Sequence, residues 1–136
     1  TRDGHDVLGT LSGEVKPREH IIGMYGAPGR ADFKVMVRQG DWKYIYLANG
    51  GREQLFNLSD DPHELKDRAG LDGSVVAELR VTAVKVCEPP EVGDALENGD
   101  LKAFPFKARE RNRIYQFDRS RGVSGFPERP EDVLTA

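Results

Sequence analysis

The chain has a single cysteine, Cys87, among its 136 residues. One cysteine excludes an intramolecular disulfide and any metal cluster built from several thiolates. No run of residues approaches the length of about 20 apolar residues that a membrane-spanning helix requires, so we expect no membrane partner. The scarcity of cysteine leaves the compartment undetermined, although it favours a reducing, cytoplasmic one.

Neither sign of charge predominates, since the net charge is only −3. So small a charge gives no reason to expect a nucleic-acid partner. The charge is unevenly distributed: residues 88–100 carry five acidic side chains and no basic one, whereas residues 101–121 carry seven basic and two acidic ones. We expect an extended tail over residues 88–136, whose two runs neutralise each other or join subunits of a homo-oligomer.

Turn residues divide the apolar segments into short strands. EHIIGMY at residues 19–25 is typical of a strand, and Gly40-Asp41 suits a two-residue hairpin turn because glycine readily adopts a positive φ. A second turn at residues 49–51 returns the chain as a further strand, with three or four loop residues both compatible with the sequence. The first turn predicts a register with three facing pairs on one side of the sheet: Val37 with Tyr44, Val35 with Tyr46, and Phe33 with Ala48.

Two helices are predicted after these strands. Asp61-Pro62 is a helix-start signal with Glu64 completing a capping box, and this short helix would end near Arg68 or Ala69. A second helix should run from Ser74 to about Val86, because apolar side chains recur at spacings of three and four. The sequence therefore predicts an α+β fold, in which a small antiparallel sheet of three to four strands packs on a C-terminal helix.

The order of these segments resembles the C-terminal subdomain of sulfatases. The resemblance rests on MVRQGDWKYIY at residues 36–46 and GGREQLFNLSDDPHELKD at residues 50–67, preceded by Asp3-Gly4 and Ser12-Gly13 and followed by the terminal helix. Phosphonate monoester and phosphodiester hydrolases of the same alkaline-phosphatase superfamily fit the pattern too. Asn57 and Asp67 stand where aspartate and asparagine, respectively, are common in the family.

The resemblance implies a division of the chain and a partner. Residues 1–18 would lead in from a preceding domain, residues 19–87 would form the subdomain, and residues 88–136 would be the tail. The implied partner is an N-terminal catalytic domain beside which this subdomain docks. The implied function is that of a C-terminal fragment of a sulfuric-ester hydrolase, which supports the main domain and the rim of its pocket without being catalytic alone.

The chemistry that the resemblance implies needs residues that this sequence lacks. A sulfatase uses a nucleophile in a Cys/Ser-x-Pro-x-Arg motif and a divalent metal held by carboxylates and an amide. Cys87 has no arginine at that spacing, and the three histidines have no paired spacing with carboxylates. We therefore expect no catalytic residue, metal ligand or cofactor in this chain, and calcium, magnesium or manganese in the parent hydrolase.

Three side chains are candidates for a position near the substrate, namely His20, Tyr25 and Arg30. They flank or belong to the first strand and the glycine-rich loop at residues 26–32, and side chains of this subdomain can reach the pocket rim in a sulfatase-like assembly. Two alternatives stay open: a subdomain of a phosphonate or phosphodiester hydrolase, and a non-enzymatic interaction module with a basic tail.

Arg38 and Lys43 face each other across the predicted hairpin, and like charges in such a pair repel. We therefore expect an anionic partner near them. A carboxylate such as Glu53, or one of the missing domain, is the simpler partner, and an anionic group of a substrate is the alternative.

Overall fold

The structure is a computed structural model that describes residues 7–16 and 18–108. Four strands form one antiparallel sheet in the order β1-β2-β3-β4, and a helix follows them, so the predicted α+β fold is confirmed. No described helix has the length and apolar character needed to cross a membrane. In chain order the elements are α1 (Val7–Ser12), β1 (Ile21–Tyr25), β2 (Lys34–Gln39), β3 (Trp42–Leu47), β4 (Arg52–Asn57), α2 (Gly73–Val86), a 3-10 turn (Gly93–Ala95), β5 (Leu96–Glu97) and β6 (Asp100–Leu101).

The register of the β2–β3 hairpin is the predicted one. Val37 faces Tyr44 and Val35 faces Tyr46, with Gly40 in the turn at a φ of 57°. In the next hairpin Leu47 faces Arg52, which leaves four residues in the turn and decides between the two lengths that the sequence allowed. The hairpin turns thus place alternate residues of β2 and β3 on opposite faces of the sheet.

The core lies between α2 and one face of the sheet. Leu79 and Ala83 of the predicted apolar stripe are buried there, and burial of a side chain such as Leu79 contributes about 1.5–3 kcal/mol. Ala95 and Leu101 are also buried, so the segment after the helix completes this core. The remaining members of the buried cluster are Phe33, Val35, Val37, Tyr44, Tyr46, Ala48, Leu55 and Cys87.

A polar cluster joins the sheet, α2 and β6. The Tyr44 hydroxyl donates to Oε1 of Glu53 at 2.7 Å, and Nη1 of Arg80 donates to the same oxygen at 2.7 Å. Arg80 also donates from Nε and Nη2 to the two carboxylate oxygens of Asp100, at 3.1 and 2.9 Å. Burial, and the hydrogen bond to Glu53, raise the pKa of Tyr44 far above its usual value.

The helix predicted from Asp61 to Arg68 or Ala69 is wrong, because this segment forms turns. Glu64 has a φ of 56°, which lies in the left-handed region and interrupts a right-handed helix. The Asp61 carboxylate does accept a backbone hydrogen bond, but its donor is the amide of Lys66 at 2.7 Å. Glu64 does not complete a capping box; its carboxylate instead contacts Nζ of Lys43 at 2.6 Å.

Two positions at which the sequence departs from the sulfatase pattern, Asn57 and Asp67, organise the backbone at and after the end of β4. Oδ1 of Asn57 accepts from the amide of Ser59 at 3.1 Å, and Oδ1 of Asp67 accepts from the amides of Leu55 and Ala69 at 3.1 and 3.0 Å. Each contact uses one side-chain oxygen, which aspartate and asparagine both possess. An exchange between these two residue types therefore preserves the turn.

The segment predicted as an extended tail is described as far as residue 108. In it, Nζ of Lys102 lies 3.5 Å from Oε1 of Glu97, which joins the acidic and basic runs at one point. The predicted contacts of the tail with a neighbouring subunit depend mainly on residues 109–136, which lie outside the described part of the chain.

Candidate functional site

A groove of about 880 Å³ lies at the end of the sheet where β1 finishes and β2 starts. Its floor includes a row of facing residues, one from each strand, on the face opposite α2. The row is Tyr25, Lys34, Leu47 and Arg52. This arrangement follows from strand alternation, because Val35 and Tyr46 point the other way into the core.

The opposite wall is formed by Phe106 and Lys107, which the side chain of Asn49 holds in place. Nδ2 of Asn49 donates to the carbonyl of Lys107 at 2.8 Å, and Oδ1 accepts from the Lys107 amide at 2.7 Å. Gly50 has a φ of 88°, and a Cβ there would lie 3.3 Å from Phe106. Glycine therefore permits both the turn and the close approach of this wall.

The charge of the groove is mostly positive. Lys34, Arg52 and Lys107 line it, and no carboxylate within residues 7–16 and 18–108 forms an ion pair with any of them. Asp32 is the acidic residue of the lining, and its Oδ1 lies 3.8 Å from Nε of Arg30. We call this site the basic groove and define it by Tyr25, Asp32, Lys34, Arg52, Phe106 and Lys107.

Two of the cations lie over aromatic rings. Nζ of Lys34 is 5.3 Å from the centroid of the Tyr25 ring, and Cζ of Arg52 is 4.8 Å from that of Phe106. Such contacts contribute about 0.5–1 kcal/mol at exposed positions and restrict the orientation of the side chain. The basic groove therefore presents oriented positive charges beside aromatic surface.

The structure places the three candidate substrate-proximal residues in two regions. Tyr25 lines the basic groove, and Arg30 contacts the groove residue Asp32 from the neighbouring loop. His20 precedes β1, so it lies roughly 16 Å from Tyr25 along the strand at about 3.3 Å per residue. Their position near a substrate stays a prediction, but the fold brings only Tyr25 and Arg30 to one site.

Sequence reasoning did not identify Lys34, Arg52, Phe106 and Lys107 as parts of one site. The register predicted for the first hairpin also places Lys34 opposite Leu47, on the other face from the three core pairs, and this is a signal for two of the four residues in the row. Arg52 needed the second register, which the sequence left open. Phe106 and Lys107 reach the groove through Asn49, a contact across 58 positions of sequence that no local pattern indicates.

The anionic partner expected near Arg38 and Lys43 is a carboxylate of this chain. Both carboxylate oxygens of Glu64 lie within 2.7 Å of Nζ of Lys43. The predicted partner Glu53 is wrong, because its side chain contacts Arg80 and Tyr44 on the other face of the sheet. The facing pair therefore requires no anionic substrate group.

The described residues offer no site for the divalent metal of a sulfatase. In the described ranges, no group of three or more His, Cys, Asp and Glu side chains is arranged to hold a metal ion. Cys87 is buried at the end of α2, and burial raises the pKa of its thiol, which disfavours the nucleophilic thiolate. These residues do not fit the metal that the resemblance implies for the parent enzyme.

Comparisons with known proteins agree with the sequence pattern. No protein-family model matches the chain. Choline-sulfatase of Rhizobium meliloti (strain 1021) is 31% identical over 108 residues, which are 79% of this chain and 19% of that protein. This chain therefore spans about a fifth of the length of the relative.

Two solved structures share the fold. One is a protein of Bacteroides thetaiotaomicron VPI-5482 provisionally named a sulfatase, and the other is a 2-O GAG sulfatase. Each has a TM-score of 0.58 and 22% identity, and each match covers 75% of this chain and 23% of the solved chain. The resemblance predicted from the sequence is thus confirmed: this chain is a homologue of the sulfatases and corresponds to a part of their length.

Proposed function

We propose that this chain is the C-terminal subdomain of a sulfuric-ester hydrolase, which supports a catalytic domain and forms part of its pocket rim. One observation carries the proposal: the alignment with choline-sulfatase includes 79% of this chain but 19% of the relative. Most of such an enzyme, including its reacting groups, would then belong to the partner domain. The subdomain would not be catalytic alone.

The chemistry of the residues supports this division of labour. The sequence contains no Cys/Ser-x-Pro-x-Arg motif, and its single cysteine is a buried thiol with a raised pKa. In the parent, a divalent metal such as calcium, magnesium or manganese would polarise the ester and the nucleophile. The ligands of that metal would come from the catalytic domain, because the described part of this chain provides no suitable group.

The face of the sheet opposite α2 supports docking of a catalytic domain. Met36 and Ile45 lie on this face and are only half-buried, and Ile21 at its edge is 48% exposed. An apolar sheet face usually packs against a second layer of structure. The catalytic domain would be that second layer, as the sulfatase homology favours.

The pocket rim would lie at the loop of residues 26–32, near Tyr25 and Arg30. These two side chains are exposed and lie beside the basic groove, so they could contact a substrate held by the partner domain. His20, at the other end of β1, would contact only a substrate that extends along the strand. The named relatives favour a sulfate ester over a phosphonate or phosphodiester as the substrate class.

Assays of sulfate release by the isolated chain test the claim that it is not catalytic alone. Para-nitrophenyl sulfate and choline sulfate would be incubated with the 136-residue chain in calcium, magnesium and manganese, with choline-sulfatase as the positive control. We expect release equal to that in buffer. Metal-dependent turnover that scales with the concentration of the chain would contradict the proposal.

A further inference from the structure

We propose that the basic groove is a binding site for an organic oxyanion, that is, a sulfate or phosphate ester group attached to an apolar or ring-shaped body. The inference deepens the proposed rim function and rests on it for the origin of the ligand. Binding itself depends only on residues of this chain. Three features of the described residues carry the argument: an oriented guanidinium, an excess of positive charge and exposed rings.

The guanidinium of Arg52 is oriented before any ligand arrives. Its Nε donates to the carbonyl of Asn49 at 3.1 Å, and its Cζ lies 4.8 Å from the centroid of the Phe106 ring. The terminal Nη atoms make no hydrogen bond within the described residues, so they can donate two parallel hydrogen bonds. This geometry matches two oxygens of a sulfate, phosphate or carboxylate group.

Lys34 and Lys107 add two further charges to the same groove. Asp32 is the acidic residue of the lining, so three cations face one carboxylate and the groove keeps an excess of positive charge. Three cations that share one concave surface raise the local positive potential and attract an anion. An oxyanion between them would relieve their mutual repulsion and gain charge-assisted hydrogen bonds.

The aromatic rings indicate a ligand larger than an inorganic anion. Tyr25 is 67% exposed and Phe106 is 60% exposed, although both are large apolar side chains that line a concave site. The volume of about 880 Å³ lies within the usual range for small-molecule sites, roughly 300–1,000 Å³. An organic body could therefore contact the rings while its anionic group contacts Arg52.

NMR titration of the 15N-labelled full chain at low ionic strength tests the inference. The probes are inorganic sulfate, para-nitrophenyl sulfate, para-nitrophenyl phosphate and a hexaglutamate peptide. We expect the aryl esters to shift the amide signals around Tyr25, Lys34 and Arg52, with inorganic sulfate binding at least tenfold more weakly. The two aryl esters distinguish sulfate from phosphate as the preferred group.

Arg52→Gln should lower the affinity for the preferred aryl ester at least tenfold, because it removes the oriented guanidinium. Arg38→Gln is the matched control, since it removes another exposed arginine from the same face of the sheet, at the other end of β2, and it should change affinity less than twofold. Lys34→Gln provides a second variant of the site. Spectra outside the groove establish that each variant is folded.

Several results would overturn the inference. They are an absence of shifts at the groove, equal loss of affinity in Arg52→Gln and Arg38→Gln, equal affinity for inorganic sulfate and the aryl esters, and tighter binding of hexaglutamate than of either ester. The last result would make the groove a docking surface for an acidic protein. None of these results depends on turnover, so the inference and the proposed function can fail separately.

Discussion

Replacing Arg80 by methionine should lower the free energy of unfolding by about 2–4 kcal/mol. The Arg80 side chain contacts both the sheet, through Glu53, and β6, through Asp100. Its guanidinium also lies 5.6 Å from the centroid of the Tyr46 ring. Methionine retains most of the apolar stem but removes the charge and all three donated hydrogen bonds.

The magnitude follows from the exposure of the two ion pairs. The Glu53 pair is largely enclosed, with side chains 31% and 26% exposed, and a hydrogen bond to a charged group of this kind contributes about 1.5–3 kcal/mol. The Asp100 carboxylate is 54% exposed, so solvent screening limits that pair to about 0.2–1 kcal/mol. The two ranges together give the expected loss.

Urea denaturation followed by the fluorescence of Trp42, the single tryptophan, measures this loss. Arg38→Met is the matched control: Arg38 is exposed and has no ion pair with a described carboxylate, so we expect a change within about 0.5 kcal/mol. Glu53→Gln alone and combined with Arg80→Met gives the coupling energy, which should reach about 1–3 kcal/mol. An Arg80→Met loss below about 1 kcal/mol, or no coupling, would refute the assigned role.

Three further predictions concern the core and the turns. The folded state holds the proton of Tyr44 more tightly than the unfolded state, because the pKa of Tyr44 is raised in the fold. The stability of the protein should therefore fall as the pH rises above about 10, the pKa of an unfolded tyrosine. Tyr44→Phe should make this fall less steep in urea denaturation at alkaline pH. An unchanged alkaline slope would contradict this. Gly26→Ala should destabilise more than Gly40→Ala in thermal melts, because both have positive φ but a Cβ at Gly26 would lie 2.6 Å from a backbone oxygen, whereas the space at Gly40 is open; equal losses would exclude the clash. Leu79→Ala should lower the free energy of unfolding by about 2–5 kcal/mol in the same urea experiment, and Val81→Ala, at a 54% exposed position, should lower it far less. Similar losses in the two variants would contradict the position of Leu79 in the core.

Local signals predicted the sheet and its main register well. Gly40-Asp41 specifies a two-residue turn, and strand alternation then fixes which side chains enter the core. The helix stripe also follows from local spacing, since Leu79 and Ala83 are buried as expected. These features depend on neighbours in the sequence, which a single chain displays directly.

Contacts between distant segments could not be predicted in the same way. Asp61 does accept a backbone hydrogen bond, but no helix starts there. Glu64 has a left-handed backbone conformation, which interrupts a right-handed helix, and its side chain pairs with Lys43, 21 positions away. The basic groove depends on the contact of Asn49 with Lys107. Local patterns therefore predict the strands and α2, whereas contacts between distant segments decide the conformation of residues 61–68 and which residues form the basic groove.

A chimera tests the central claim most directly. The segment of choline-sulfatase that aligns with this chain would be replaced by the present chain, and metal-dependent release of sulfate from choline sulfate would be measured against the unmodified enzyme and against a variant that lacks the segment. We predict that the variant without the segment is inactive or insoluble and that the chimera recovers turnover. A deletion variant as active as the unmodified enzyme, or a folded chimera without turnover, would contradict the account.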